Sequence, residues 1–454
     1  MLASEKQEPV NAFVTCMQVA ITGIAFICIL FFGYGNLQMF KWFEEIDLSV
    51  WAGFLSWGGF VCVFCFRYHS FGKVCRDPVC VCIVLFMLNV IIVGYLNGVL
   101  IYGQPLLGIV RSLVRWGGLM IYPTLLMLGN VPVLEKRIIK FLLIVGVSSM
   151  ALSMLTQIFA LYDVLFIRVP EQRMEITRAP RIFIESAGFS LFFFIVHWFH
   201  NRSLKKLWFL LLAAIIFYVM AFAILSRRHF VLIPIVLIYF IIRNLPFHIA
   251  LKILLICMAI LLLLFLSIPS FYDYMVEYGR NLWDTFFNPH SESYGSAQIR
   301  VTGLQYYWDY FKQSNFIGFG KISIKHGDIT NPIAVALNDK NSCMVLSDLG
   351  IIGALFEWGF SGLVILGASL YVCFRRINFI KTYGLLEQRL LAITIELCFI
   401  FQFCRLGPFW ADSSGDYMAF VLYMYLLAAN HNRLLKTGSV AETVLMPGRS
   451  NVKF

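Results

Sequence analysis

Runs of about 20 apolar residues recur along this chain. A run of that length crosses a ~30 Å hydrocarbon layer as an α-helix, which satisfies its own backbone hydrogen bonds. Composition agrees, because 60% of the 454 residues are hydrophobic and only 13% are charged. Such a balance excludes an ordinary water-soluble globule. The sequence therefore predicts an all-α fold, a polytopic transmembrane helical bundle that forms one integral membrane domain over residues 1–454.

The number of membrane-spanning helices is predicted to be about twelve. The eighth, eleventh and twelfth have only about fourteen apolar residues each, a length that also suits a re-entrant segment. The predicted spans are 13–32, 48–66, 79–101, 106–128, 138–160, 182–199, 207–225, 229–242, 249–268, 345–373, 390–404 and 417–429.

The distribution of basic residues predicts the orientation of these spans. The first outer loop, "KWFEEIDLS", is acidic and the second, "YGQP", is uncharged, whereas alternate connections are basic, as the positive-inside rule requires. Both termini are therefore predicted to be cytoplasmic. The basic inner connections carry Arg67, Lys73, Arg76, Lys136, Arg137, Lys140, Arg202, Lys205, Lys206, Arg243, Lys252, Arg375, Arg376, Lys381 and Arg389. The net charge of +11 follows from this orientation and indicates no nucleic-acid partner.

One outer connection, residues 269–344, is far longer than the others, and loops of that length are usually functional. Within it, "SAQIRVTGLQYYWDYFKQ" places Val301, Leu304, Trp308 and Phe311 at helical spacing. This pattern predicts an interfacial amphipathic helix, with Arg300 at its start.

Arginines are unexpectedly frequent at the predicted outer face. Isolated arginines there can snorkel to lipid phosphates, but a cluster favours a site for a phosphorylated ligand, since guanidinium binds phosphate oxygens in a bidentate way. Arg111 and Arg115 lie four residues apart near the outer end of the fourth span, where an ionisable pair tends to face a polar interior. The other candidates for diphosphate binding are Arg178, Arg181, Arg227 and Arg228.

Three stretches resemble landmarks of the O-antigen polymerases and O-antigen ligases of bacterial inner membranes. "LSRRHF" is similar to an outer Ser-Arg turn, and "PRIFIESAGFS" to an arginine-containing helix entry with a Phe-x-Glu element. "IRVTGLQYYWDYFKQSNFIGFGK", followed by "NSCMVLSDLGIIGALFEWGF", is similar to an Arg…Trp…Gly-x-Gly loop that leads into a glycine-rich helix. Ligases often carry a His-Asn pair before that helix, whereas this chain has "NDKNS", which favours a polymerase.

The resemblance implies a metal-independent glycosyltransferase that moves a glycan from undecaprenyl diphosphate to an acceptor sugar at the periplasmic face of the inner membrane. It also implies a chain-length regulator protein as a partner. Fixed arginines such as Arg300 suit the leaving diphosphate without a metal, and no DxD motif or Cys/His metal spacing occurs in the sequence, so no cofactor is predicted. The candidate proton acceptors for the sugar hydroxyl are Glu185, Asp309 and His326.

Each candidate has a plainer interpretation. Glu185 is placed to pair with Arg181 one helical turn earlier, Asp309 to lie on the solvated face of its helix, and His326 to be an ordinary loop residue. Two other functions also remain open at this point. One is the ligase reaction, and the other is transport of lipid-linked sugars, for which internal repeats and broken helices near mid-membrane are expected.

Overall fold

The computed structural model of the protein describes residues 12–34, 48–101, 103, 106–129, 132–160, 186–201, 227–244, 296–320, 351–405 and 414–436, with isolated positions between 246 and 280. Within these ranges the regular structure is helical, and no β-strand occurs. The expectation of an all-α fold is confirmed for this part of the chain. The predicted spans 207–225 and most of 249–268 lie outside the described residues.

The helices follow one another with short connections where these are described. We number them in chain order as α1 Ala12–Tyr34, α2 Leu48–Val74, α3 Pro78–Val93, α4 Leu106–Arg115, α5 Ile121–Leu128, α6 Pro132–Ala160, α7 Ser186–Asn201, α8 Arg227–Asn244, α9 Ser296–Gln313, α10 Ile351–Tyr383, α11 Leu386–Arg405 and α12 Ser414–Lys436. A π-helix, Gly94–Val99, continues α3, and a 3-10 helix, Trp116–Met120, joins α4 to α5.

Four segments of the described chain are long and apolar enough to cross a membrane: Phe13–Leu30, Val50–Gly72, Pro78–Val99 and Ile351–Tyr383. The exposed face of α3 shows how such a helix suits lipid. Val84, Leu88 and Ile92 follow one another at four-residue spacing and are each about half exposed, whereas Phe86 and Val90 on the opposite face are buried. An apolar stripe of this kind is costly in water and favourable in hydrocarbon.

Two helices extend beyond their predicted ends. α2 continues through Arg67, where the backbone leaves helical geometry (φ −128°, ψ 28°), and ends at Val74. α10 continues ten residues past the predicted end of its span at 373, so Arg375, Arg376 and Lys381 lie on the helix. Two of these charged side chains have partners within the protein: Arg376 is buried against Asp77, and Lys381 pairs with Glu396 at 2.9 Å.

The chain divides into two compact units. Unit 1 comprises Met1–Ile92, Ile109–Phe230 and Ser361–Phe454, and unit 2 comprises Val93–Gly108 and Val231–Phe360. In unit 1, α12 packs against α1 and α5, and every residue from Tyr417 to Asn430 is buried. A helix that is apolar on all sides lies in a core for this reason. The described core of unit 2 is aromatic, with Tyr307, Phe311, Phe319 and Phe356 at most 1% exposed.

Candidate functional site

The Gly-x-Gly element follows directly after α9 in unit 2. Gly318 and Gly320 have φ values of 98° and 69°, and Gly359 in α10 has a φ of 72° with a ψ of −178°. These backbone conformations strongly favour glycine, and the one at Gly359 is essentially restricted to it. The local sequence therefore determines both a tight loop after α9 and a break near the start of α10.

The loop occupies the break in α10 through backbone hydrogen bonds. The amides of Phe319 and Gly320 donate to the carbonyls of Phe356 and Glu357, both at 2.8 Å, and the amide of Phe360 donates to Phe316 at 3.3 Å. In an uninterrupted α-helix the amide of residue 360 would bond to the carbonyl of residue 356. The loop thus replaces the missing helical partners, so these backbone groups remain satisfied although they are inside the protein.

The close approach of loop and helix requires the glycines. A Cβ atom on Gly359 would overlap the Ile317 carbonyl, and a Cβ on Gly318 would lie 2.9 Å from the Glu357 carbonyl oxygen. The π-helix approaches from the other side, because a Cβ on Gly320 would be 3.0 Å from the Cα of Gly94. The side chain of Asn97 in that π-helix is 2% exposed and donates a hydrogen bond to the Gly318 carbonyl.

Helix α9 confirms the amphipathic helix predicted around Arg300, but its buried face differs from the predicted one. The buried face runs through Gly303, Tyr307 and Phe311, and the ring centres of Phe311 and Phe356 are 5.2 Å apart. Of the predicted apolar face, Phe311 is buried, Leu304 is half-buried and Trp308 is 41% exposed. The observed face is displaced by about one residue from the predicted one, because the ring of Tyr307 packs near Phe356. Val301 lies outside the residues whose side chains are described.

Two of the predicted catalytic residues lie on α9. Asp309 is on the exposed face and forms an ion pair with Lys312 at 3.2 Å, as a solvated helix face would. The backbone of Arg300 forms part of the first turns of the helix, and its side chain lies outside the described part. Burial raises the pKa of Tyr306 on the same helix to about 12.

Arg115 is the better placed member of the predicted pair in unit 1. Arg111 is exposed, whereas Arg115 is half-buried at the last residue of α4, and its carbonyl accepts a hydrogen bond from the Tyr417 hydroxyl at 2.7 Å. The turn that follows is fixed by close glycine contacts, because a Cβ on Gly117 would lie 2.7 Å from the Gly53 carbonyl oxygen. The interior position expected for the pair therefore applies to Arg115 and not to Arg111.

The remaining predicted site residues are described only in part. Arg227 and Arg228 are the first two residues of α8, so the predicted turn ends where this helix begins, but their side chains lie outside the described residues. Arg178, Arg181, Glu185 and His326 also lie outside the described residues. Their assignments stay predictions.

Several buried polar residues in unit 1 were not singled out from the sequence. Arg376 bonds to Asp77 and, at 2.7 Å, to the Tyr122 hydroxyl, and Asp77 also accepts the amide of Val79 at 2.9 Å as a helix cap. A second pair joins Glu135 to Arg433. Burial raises the pKa of Glu135, and the adjacent Arg433 opposes that rise. The available signal was an acidic residue at the start of a predicted span, opposite a basic residue at the end of another.

The described residues contain no group of three or more His, Cys, Asp or Glu side chains arranged to hold a metal ion. A comparison with models of known protein families gives no match, and a comparison with curated proteins gives none either.

Proposed function

We propose that the protein is a surface-polysaccharide polymerase of the O-antigen type in the bacterial inner membrane. Its donor is a glycan on undecaprenyl diphosphate, and its acceptor is the sugar hydroxyl of another lipid-linked repeat unit. Both termini are assigned to the cytoplasm and the reaction to the periplasmic face. The observation that carries the proposal is the anchoring of the arginine-bearing helix α9 by the Gly-x-Gly loop in the broken start of α10.

The position of this anchor along the chain supports an outer-face site. The loop contacts the last residues of the candidate span Pro78–Val99 and the first residues of the candidate span Ile351–Tyr383. The predicted topology places both ends at the outer face. Irregular backbone at the edge of a membrane is tolerated where the protein covers it, as the loop does here. A helix held there carries its basic residues at the level of a lipid-linked diphosphate.

Polar contacts at the opposite ends of the helices support the predicted alternation of these spans. Asp77 and Glu135 precede predicted outward-running spans, and their partners Arg376 and Arg433 lie at the ends of predicted inward-running ones. Each ion pair therefore joins residues that the predicted topology assigns to the same inner face. If any one of these spans crossed the membrane in the opposite direction, the two residues of its ion pair would be separated by the thickness of the bilayer, about 30 Å.

The chemistry needs a leaving-group site and a proton acceptor. The acceptor oxygen forms a bond to the anomeric carbon, the bond from that carbon to the diphosphate breaks, and undecaprenyl diphosphate leaves with the electron pair. The hydroxyl proton passes to a base, for which Glu185, Asp309 and His326 are the candidates. Arginine stabilises the charge that develops on the diphosphate, and one lost donor of this kind costs about a hundredfold in rate.

The proposed function is tested by deleting the gene and analysing the surface glycan. We expect glycan of one repeat unit, restored to long chains by the wild-type gene. Complete loss of glycan from its final acceptor, with long chains left on the carrier lipid, would instead indicate a ligase. Lipid-linked repeats that stay at the cytoplasmic face would indicate a transporter.

A further inference from the structure

The π-helix that ends the candidate span Pro78–Val99 contains a buried asparagine in an apolar setting. Asn97 is 2% exposed, and six residues around it, Gly94–Val99, have the wider π-helical turn. π-helical turns are rare and occur often at functional sites. Polar side chains within membrane spans are costly and are usually retained for a function. Asn97 therefore calls for an explanation beyond packing.

The contact that Asn97 makes is specific. Its side-chain nitrogen donates to the carbonyl of Gly318, the first glycine of the Gly-x-Gly loop. The loop is held on its other side by the carbonyls of Phe356 and Glu357. Asn97 thus holds one side of the Gly-x-Gly loop, and the α10 carbonyls hold the other. The loop in turn fixes the C-terminal end of α9.

From this geometry we infer that Asn97 is a positioning residue for Arg300. Asn97 fixes the loop, the loop fixes α9, and α9 sets the place of Arg300 relative to the donor diphosphate. The last step rests on the proposed function. The first two rest on the hydrogen bonds of unit 2 alone.

Helix geometry explains why a small change at the loop matters at Arg300. Thirteen residues separate Arg300 from Gln313 at the end of α9, which corresponds to about 20 Å at 1.5 Å per residue. A tilt of about 3° at the anchored end then moves the other end by about 1 Å, and a misplacement of that size can cost a hundredfold in rate. Tyr307 and Phe311 also hold the helix, so part of the alignment survives without Asn97.

The structural half of the inference is tested by amide hydrogen exchange on the purified protein, which needs no substrate. Replacement of Asn97 by leucine keeps the branched shape and the number of side-chain heavy atoms and removes the donor. We expect faster exchange at the amides of Phe319 and Gly320 in Asn97→Leu than in the wild-type protein. Unchanged exchange in Asn97→Leu would overturn the anchoring role whatever the enzyme does.

Asn89 provides a matched control on the same helix. It is also a buried asparagine, and its side-chain oxygen accepts from the Ser361 hydroxyl of α10 at 2.5 Å and not from a group of the loop. Asn89→Leu makes the same substitution at a buried asparagine and removes a partly buried hydrogen bond. We expect this variant to lose thermal stability comparably to Asn97→Leu but to keep normal exchange at Phe319 and Gly320.

The catalytic half is tested with lipid-linked oligosaccharides extracted from cells that lack the gene. We expect Asn97→Leu to lower kcat by tenfold to a hundredfold with little change in KM, and Asn89→Leu to keep kcat. If Asn97 acts through Arg300, Asn97→Leu adds little further loss in an Arg300→Ala background. If the fold-losses of kcat in the two single variants multiply in the double variant, the coupling of Asn97 to Arg300 is overturned. A wild-type protein without any polymerising activity would refute the proposed function while leaving the exchange result to decide the anchoring.

Discussion

At the scale of single residues, Arg300 is the side chain on which the proposed reaction depends most. It belongs to the first turns of α9, where the helix N-terminus adds partial positive charge. We expect Arg300→Ala to reduce polymerisation about a hundredfold, as for the loss of one transition-state donor. Lys312 on the same helix is the control, because it is exposed and pairs only locally with Asp309 among the contacts described above. If Arg300→Ala and Lys312→Ala lose polymerisation equally, as measured by glycan chain length, α9 has a structural role and no role in catalysis.

His431 gives a prediction about stability and pH. Burial, together with the adjacent Arg376, lowers its pKa below the ordinary value of about 6.5. The folded protein therefore favours the neutral imidazole, and this contribution is fully present above the unfolded-state pKa and is lost as the pH falls through the folded-state value. We expect the melting temperature to fall between pH 7 and pH 5, and the fall to be smaller in His431→Gln. An identical fall in both proteins would show that other groups control it.

The role of a residue could be predicted where it depends on the local sequence pattern. It could not be predicted where it depends on a contact with a distant part of the chain. The sequence pattern predicted the helix that carries Arg300 and Asp309. It did not indicate Asn97, because one asparagine in an apolar run shows nothing of its partner 221 residues away. Arg376 was assigned to the orientation signal alone, although its charge is paired with Asp77 in the core. Long-range partners of this kind are not encoded in spacing along the chain.

At the scale of secondary-structure elements, the break in α10 is the feature that admits the Gly-x-Gly loop. Gly359→Ala places a Cβ against the Ile317 carbonyl and forces a conformation that L-residues avoid. We expect a loss of about 3 kcal/mol or more in stability, or a failure to accumulate folded protein. Measurement of folded yield and melting temperature in detergent checks this.

Gly367 is the matched control for that substitution, since it lies on the same helix and a Cβ there meets nothing within 4 Å. Gly367→Ala should leave stability unchanged or raise it by up to about 1 kcal/mol, because alanine is the better helix former. A Gly359→Ala protein as stable as Gly367→Ala would mean that α10 does not need the break.

The ends of the helices show what hydropathy alone does not predict. Apolar length ends the predicted span at 373, because hydropathy stops at the first charged residues, whereas the backbone hydrogen bonding of α10 continues to Tyr383. The fourth predicted span, 106–128, consists of α4, a 3-10 helix and α5. Glycine contacts with a neighbouring helix tighten it at Gly117, and no local pattern reveals such contacts in advance.

At the scale of the whole molecule, the assignment of loops to the two faces of the membrane is the frame for every site argument. A periplasm-dependent reporter fused after Lys325 should be active, because the segment is predicted to be outside. A fusion after Gly384, between α10 and α11, should be inactive with that reporter and active with a cytoplasmic one. The reverse pattern would move α9 to the cytoplasmic face and remove it from a periplasmic site.

The central claim is bond formation between lipid-linked glycans, and reconstitution tests it most directly. Purified protein in liposomes would be supplied with the lipid-linked oligosaccharide extracted from cells that lack the gene, in the presence of a metal chelator. We expect glycans of two or more repeat units on the carrier, with one undecaprenyl diphosphate released for each new linkage. Glycans that remain one repeat long, whether or not they cross the bilayer, would contradict the account.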